Sequence, residues 1–221
     1  MNDIDKKPDY KGIYQYVCAG FNKTRLFYHG PFDETFYTLR VYESAKDIMK
    51  HVKCGKQEVL VACLLHDIGK TKLKHSLIIH KGQKREDSHK EWHKHARLGV
   101  PIARRFLKKA GHSEDFIDKV CYLIENHDTR DGTKKPVELQ VVQDADLIAD
   151  IGFAGFIRPF LYGTKFKRGV VGTINYIQTA AKRTEEQQLN LKISKIISED
   201  KIKLEERLAK QIAKDTKTDL L

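Results

Sequence analysis

No stretch of this 221-residue sequence is apolar for long enough to cross a bilayer. Its first ten residues, MNDIDKKPDY, lack the apolar core of a secretory signal, so a cytoplasmic location is the expectation. Cysteine is sparse. Cys18, Cys54, Cys63 and Cys121 are scattered without CxxC spacing, which argues against a zinc ribbon and against a disulfide framework. Cys63 and Cys121 fall in apolar stretches and read as buried thiols. Long regular strands are not apparent, no Gly-rich loop of the phosphate-cradling kind is present, and no base-recognition motif stands out.

What is there is an ordinary water-soluble composition, 40% hydrophobic and 32% charged, long enough for one domain with a helical extension. The formal net charge of +11 favours anionic partners: nucleotides, phosphate esters, nucleic acid or acidic lipid. Much of the excess is dispersed, as in KKPDYK, KGQKRE and TKFKRG, and a solvated surface accounts for such lysines equally well.

Helical periodicity dominates. DETFYTLRVYESAKDIMKHV puts Tyr37, Val41, Ala45, Ile48 and Met49 on one stripe. KQEVLVACLLHDIGK is apolar nearly all round from Val59 to Leu65, as a short buried helix would be, with Gly69 as a stop signal. A basic loop from about Lys72 to Lys90 follows. The next helix places His95, Leu98, Ile102 and Phe106 on one face and ends at Gly111. HSEDFIDKVCYLIENHD starts with Ser113 as N-cap and carries Phe116, Val120, Leu123, Ile124 and His127 inward. VELQVVQDADLIADIGF is a further apolar helix, after which Gly152, Gly155, Pro159 and Gly163 suggest shorter, broken pieces. The stretch from about Thr173 to Lys217 is helical and strongly charged. Helices joined by short loops imply an all-α bundle.

Chemistry concentrates at His66–Asp67. A carboxylate directly after VLVACLLH is costly to bury unless something compensates it: a metal, a nearby Lys or Arg, or a helix N-terminus. His95 and His127 also point inward, and Asp144 and Asp146 lie within an apolar helix. Histidine nitrogens with carboxylate oxygens suit zinc, iron, manganese or nickel. One inward histidine is more often a core residue than a ligand; two of them beside a buried His-Asp pair are harder to assign to packing.

LLHDIGK, followed far downstream by QDAD, resembles the HD superfamily of metal-dependent phosphohydrolases over about Asp33 to Gly163. The resemblance implies an all-helical HD-domain bundle and a metal-activated water that attacks phosphorus. The family pattern is a first His, then His-Asp, then a distal Asp. His66 and Asp67 match the central pair, and ADLI is similar to the string around the distal Asp, which favours Asp146 over Asp144 where periodicity does not separate them. His95 in HKHARLG and His127 in NHDTRDG resemble the additional ligands of two-metal members. HDTRDGTKKP is similar to a cyclic-dinucleotide phosphodiesterase string, HHExxDGxGYP, but departs from it at Asn126, Lys134 and Lys135. QDADLIADIGFAGFIRPFLYG is similar to the DADRLD helix and AIGIARAF string of small HD hydrolases, without the arginine of DADRLD. Tyr37 in YTLRV stands where the first His would be; a phenol can ligate iron or bind through a water, and if Tyr37 only fills the helix stripe the site is short of one ligand unless His29 supplies it.

The resemblance thus implies a domain over residues 31–165, preceded by an N-terminal segment (1–30) and followed by a C-terminal helical extension (166–221) packed on it. It implies one or two divalent ions (Mn, Fe, Ni, Zn or Mg) held by His66, Asp67, His95, His127 and Asp146, with Asp67 able to bridge two. Lys70 is expected to touch a phosphate or a developing negative charge, its plain alternative being a surface lysine at a helix end. Asp128 is expected to orient His127 or accept a proton, its alternative being a turn residue. Arg130 is expected to steer an anionic substrate. The expected reaction is hydrolysis of a nucleotide or other small phosphate ester. A di-iron oxygenase and a catalytically weakened module that binds an anionic partner are the other readings. No motif indicates nucleic acid, no membrane partner is expected, and the charged C-terminal helix is compatible with a homodimer.

Overall fold

The computed structural model of the protein describes residues 6–24, 34–74, 90–129, 131–165, 168–177 and 189–215. Among these residues every regular element is helical and no strand occurs, as the periodicity predicts. The elements are α1 (Tyr10–Phe21), α2 (Glu34–Ile48), α3 (Lys56–Leu65), a 3-10 turn (Ile68–Lys72), α4 (Lys94–Lys109), α5 (Glu114–Asn126), α6 (Val137–Ala149), α7 (Phe153–Lys165) and α8 (Lys192–Asp215), with a short helical stretch at 170–177 before α8. His29, Arg130 and most of the basic loop, including His75, His80 and His89, lie outside the described residues.

α3 is the axle of the bundle. Val59, Val61, Ala62, Cys63, Leu64 and Leu65 are all buried, because α1, α2, α5 and α6 pack around it. The α2 stripe of Tyr37, Val41, Ala45, Ile48 and Met49 is buried as its spacing predicts, and Ser113 caps α5 by accepting from the Phe116 N–H at 3.2 Å.

Three sequence expectations fail. In α4 the buried line is His95, Ala96, Gly99, Ala103 and Leu107, while Leu98, Ile102 and Phe106 are only half-buried at its edge. Small residues face inward because α4 runs backbone-close to the 3-10 turn. A Cβ on Gly69 would lie 1.9 Å from the His95 carbonyl oxygen and 2.5 Å from the Gly99 nitrogen. Gly69 is therefore a contact residue inside the 3-10 turn, not the stop signal that the sequence suggests. Likewise α7 is one continuous helix with Pro159 inside it, not broken pieces. Gly155 in that helix marks a close approach, since a Cβ there would lie 2.3 Å from the Asp150 carbonyl.

α8 lies against α7, α6 and α2. Its buried line is Ser194, Ser198, Ile202, Glu205 and Ala209, more polar than a core stripe usually is. Two carboxylates anchor this region. Asp144 accepts from the Asn190 N–H (2.8 Å), the Asn190 Nδ2 (2.8 Å) and the Leu191 N–H (2.9 Å) at the entry to α8. Glu205 is 1% exposed and accepts from the N–H of Gly152, where φ is +77°. Burial pushes the Glu205 carboxyl up to about 7 from 4.5, against the opposing Gly152 N–H. The folded protein thus keeps a proton that the unfolded chain has released between those two values. Stability should accordingly fall as pH rises through that window. Glu205→Gln keeps an acceptor for Gly152 and removes the titration. Chemical denaturation at pH 8 should find it more stable than the parent by about 1–2 kcal/mol, and no more stable at pH 4.

Candidate metal centre

Five elements deliver side chains to one point. His66 is the first residue beyond α3, and Asp67 follows in the bridge region of backbone space (φ −98°, ψ 1°) before the 3-10 turn begins. His95 comes from the first turn of α4, His127 from the residue after α5, Asp146 from α6 and Tyr37 from α2. Gln143, also on α6, donates to the carbonyls of Asn126 (3.0 Å) and Thr129 (2.9 Å) and so fixes the turn that carries His127.

The three imidazoles are oriented in the same way. Each places Nδ1 on the carbonyl three residues before it: His66 on Cys63 (2.8 Å), His95 on Trp92 (2.7 Å) and His127 on Ile124 (2.7 Å). A carbonyl only accepts, so Nδ1 carries the proton and the neutral ring presents a lone pair at Nε2. The Nε2 atoms of His95 and His127 lie 3.1 Å apart, lone pair toward lone pair. The His66 Nε2 is fully buried and makes no hydrogen bond, although Asp67 Oδ2 is 3.1 Å away and Asp146 Oδ1 3.2 Å. Asp67 serves both sides. Its Oδ1 is 3.2 Å from His95 and 3.9 Å from His127, and its Oδ2 faces His66 and Lys70. His66, Asp67 and His127 each offer one ligand atom within 4.8 Å of the others. Convergent lone pairs around a buried carboxylate call for a cation at their centre, so these residues fit a divalent ion.

Without an ion, a proton takes the place at the His66 Nε2 that an ion would take: burial disfavours an imidazolium there, yet the facing Asp67 and Asp146 outweigh it and push its pKa up to about 10. Burial, with His66 and His95 nearby, pushes His127 down to about 4. Burial alone would raise the Asp67 carboxyl, but His66 and Lys70 hold it well below the usual carboxylate range. Four carboxylates (Glu34, Asp67, Asp146 and Asp150) meet two permanent cations (Lys70 and Arg158), so negative charge is in excess until a proton or an ion arrives.

The remaining expected residues fall as follows. Asp144 is turned away to α8, so of the two aspartates it is Asp146 that the fold brings to the histidines. Asp146 keeps a fifth of its side chain exposed, 20%, which opens the centre to solvent on that side. Lys70 is not a surface lysine. It is 6% exposed, its Nζ is shared by Glu34 and Asp67, and it lies 5.0 Å from the centre of the Trp92 ring. Asp128 does not orient His127, whose Nδ1 is held by Ile124; it pairs with the exposed His93 instead.

Tyr37 is buried, and its hydroxyl donates to Asp146 at both Oδ1 (2.7 Å) and the backbone oxygen (2.9 Å). Burial, then the facing Asp146, push the phenol pKa well up, so Tyr37 is a proton donor rather than a phenolate. It thereby occupies a lone pair of the oxygen that faces His66. Tyr37→His should release that oxygen and add an imidazole. Calorimetric titration with Mn or Zn should then show affinity higher by on the order of tenfold, and unchanged affinity would count against Tyr37 as the missing ligand position.

Two charged residues escape the sequence reading. Glu34, 2% exposed, pairs with Lys70 and with Arg158 (3.4 Å), and the Arg158 guanidinium lies 4.2 Å from the centre of the Tyr37 ring. The string GFIRPF, similar to GIARAF, is the one signal that singles out Arg158; Glu34 has none.

Comparison with known proteins agrees with the helical fold. The family model for the HD domain matches residues 36–150. The structure of YpgQ from Bacillus subtilis in complex with ADP is similar, with a TM-score of 0.65, 19% identity, and 94% of this chain and 97% of that chain covered. An HD-superfamily hydrolase from Bacillus thuringiensis aligns with a TM-score of 0.67 at 17% identity, covering 94% and 96% of the two chains. A protein described as a predicted HD superfamily hydrolase, from an uncultured Thermotogales bacterium, aligns at 26% identity with a TM-score of 0.51, over 81% and 88%. No curated protein gives a significant match.

Proposed function

Because the chain belongs to the HD domain family, whose model spans more than half of it, we propose that it is a metal-dependent phosphohydrolase acting on a nucleotide or a related small phosphate ester. The observation that carries this reading is the set of three buried imidazoles, each with Nδ1 on a carbonyl and Nε2 turned to Asp67 or Asp146. His66, Asp67, His95, His127 and Asp146 would hold one or two ions. Such an ion supplies Lewis acidity and lowers the pKa of water toward neutrality.

The chain's own residues do the rest. Lys70 neutralises one oxygen of Asp67 and fixes the carboxylate with Glu34 as its second partner. That placement makes Lys70 a positioning residue first; contact with a phosphate would need it to share its ammonium. Arg158, held over Tyr37 by Glu34 and Asp150, is the next cation beside the centre and would reach an anionic substrate only by sharing its guanidinium, and Arg130 is a candidate to steer one. The ADP held by YpgQ supports the nucleotide as substrate class, at the level of a shared fold.

The test is hydrolysis of nucleoside di- and triphosphates by purified protein with added Mn, Mg, Zn or Ni, reading phosphate and pyrophosphate release. Turnover should depend on the ion and stop with EDTA. No turnover with any ion, together with no ion binding, would overturn the proposal and favour a module that binds an anionic partner. The two-sided use of Asp67 also suits a dinuclear centre, which keeps the oxygenase reading open. Paired iron with oxygen-dependent turnover would replace the hydrolase reading.

A further inference from the structure

The solvent side of α4 carries charge of one sign. Between Lys94 and Lys109 the exposed positions are Lys94, Arg97, Pro101, Arg105, Lys108 and Lys109. All but Pro101 are basic, and no aspartate or glutamate occurs anywhere in the helix. Steps of three and four residues set Lys94, Arg97, Pro101, Arg105 and Lys108 along one line, with Lys109 beside it. Like charges at such steps repel, so helix stability does not account for the line. The other strongly charged helix, α8, shows the ordinary mixed pattern: Lys195, Glu199, Lys203 and Glu206 are all exposed, and Glu199 pairs with Lys203. On α4, Lys94 pairs with Glu91, Lys108 with Glu114, and the half-buried Arg104 with Glu114 and Asp118. Among the described residues Arg97, Arg105 and Lys109 are paired with no carboxylate. Basic charge continues at both ends. Lys72 and Lys74 are exposed beside the α4 N-terminus, where Glu91 holds the Lys74 N–H, and Lys6 donates to the Ala110 carbonyl at the C-terminus.

We propose that this side of α4 binds duplex nucleic acid through its phosphate backbone. Sixteen helical residues make a line about 24 Å long, which suits a polymer of phosphates better than a single nucleotide. What the surface lacks selects the occupant. None of the exposed large hydrophobic side chains among the described residues lies on α1, α4 or the 3-10 turn. A protein partner ordinarily needs an apolar anchor at the centre of its interface, and a lipid surface needs one to insert. A single strand is gripped by stacking its bases on open aromatic rings. The rings at hand, Tyr16 and Phe106, are half-buried and stacked on each other at 4.2 Å. A duplex turns its bases inward and presents phosphates, which arginine and lysine alone can hold. A second copy would set one basic line against another. Contact of this kind reads no bases, so the sequence need carry no base-recognition motif. The opposite side of the same helix delivers His95 to the metal centre. The proposal does not depend on the hydrolase reading.

Fluorescence anisotropy of a short labelled duplex tests it, with the full chain in EDTA so that no ion-dependent turnover intervenes. DNA and RNA duplexes of one sequence are compared; binding of either supports the proposal, and the tighter one identifies the source. Affinity should fall about 40-fold between about 50 and 200 mM salt, as counterion release by three phosphate contacts requires. The double variant Arg97→Gln, Arg105→Gln should bind about tenfold more weakly, with the salt slope reduced by about two and with circular dichroism and Tm as in the parent. The double variant Lys195→Gln, Lys210→Gln removes the same charge from exposed positions of α8 and should bind as the parent does. No binding to either duplex at the lower salt, tighter binding of the single strand, undiminished binding by the α4 variant, or equal weakening by both variants would each overturn the proposal. So would displacement of the duplex by polyglutamate as effectively as by unlabelled duplex, since an acidic protein would then fit equally well.

Discussion

Asp67→Asn should abolish turnover and leave ion binding too weak to measure by calorimetry. The loss should be well beyond the roughly 10–100-fold that removal of a supporting group costs at a metal site. Asp67 is the one carboxylate with an oxygen toward each side: Oδ1 toward His95 and His127, and Oδ2 toward His66 and Lys70. Asparagine keeps the shape but presents a single oxygen and no charge, so whichever way the amide turns, one set of histidines faces an N–H₂ group. The same substitution leaves Lys70 with Glu34 alone in a buried place. The cost of weakening such a pair is partly offset by the charge removed from the cluster, so the change in Tm should be small beside the change in ion affinity. If calorimetry with Mn or Zn gave the same affinity for parent and variant, Asp67 would not be a ligand and the proposed centre would be wrong.

Gly69→Ala should be the most damaging methyl addition at any of the described glycines. Its Cβ would meet the His95 carbonyl oxygen at 1.9 Å and the Gly99 nitrogen at 2.5 Å, both backbone atoms that no change of rotamer can move. Restoring ordinary contact requires the 3-10 turn and α4 to separate by roughly 1.5 Å, and the residue displaced is His95 itself. The expected cost is about 3 kcal/mol or more, at the upper end of what overpacking does. Thermal unfolding should register it as a fall in Tm of about 10 °C for a chain of this size. Gly99→Ala is the internal comparison. Its Cβ would touch the Ile124 Cγ2 at 3.3 Å, a flexible methyl, so the effect should be much smaller. An unchanged Tm for Gly69→Ala would show that the turn and α4 are not packed so closely.

Much of this site was legible before any coordinates. Helical periodicity turns His95 and His127 inward because each shares a stripe with apolar neighbours, and the length of the apolar run before His66 places Asp67 beside the core. What stayed hidden is of two kinds. Pairings between distant residues, such as Lys70 with Glu34 or Arg158 with Glu34, leave no periodic trace: a charged residue on a helix reads as solvated until its partner is known. From the sequence Lys70 accordingly reads as a phosphate contact or a surface lysine, and nothing in the sequence singles out Glu34. Close backbone approach is the second kind. Gly69 and Gly155 look like punctuation, and His95, Ala96, Gly99 and Ala103 do not look like a core face, because hydrophobic spacing weighs size and not proximity. The choice between Asp144 and Asp146 shows the limit in one case. Two residues apart on one helix, neither is excluded by spacing; the ADLI string favours Asp146, and the partners at Asn190 and Leu191 give Asp144 its separate use.

Those partners bear on how the protein is made. Every residue of the proposed metal centre, from Tyr37 to Asp146 together with Arg158, leaves the ribosome before Asn190 and Leu191 do. Until that clasp arrives, Asp144 is a carboxylate within an apolar helix, two residues from Asp146, without the three donors it holds in the finished fold. The nascent chain therefore carries every proposed metal ligand before the clasp on α6 can form, and α8 belongs to the later-made part of the chain that brings it.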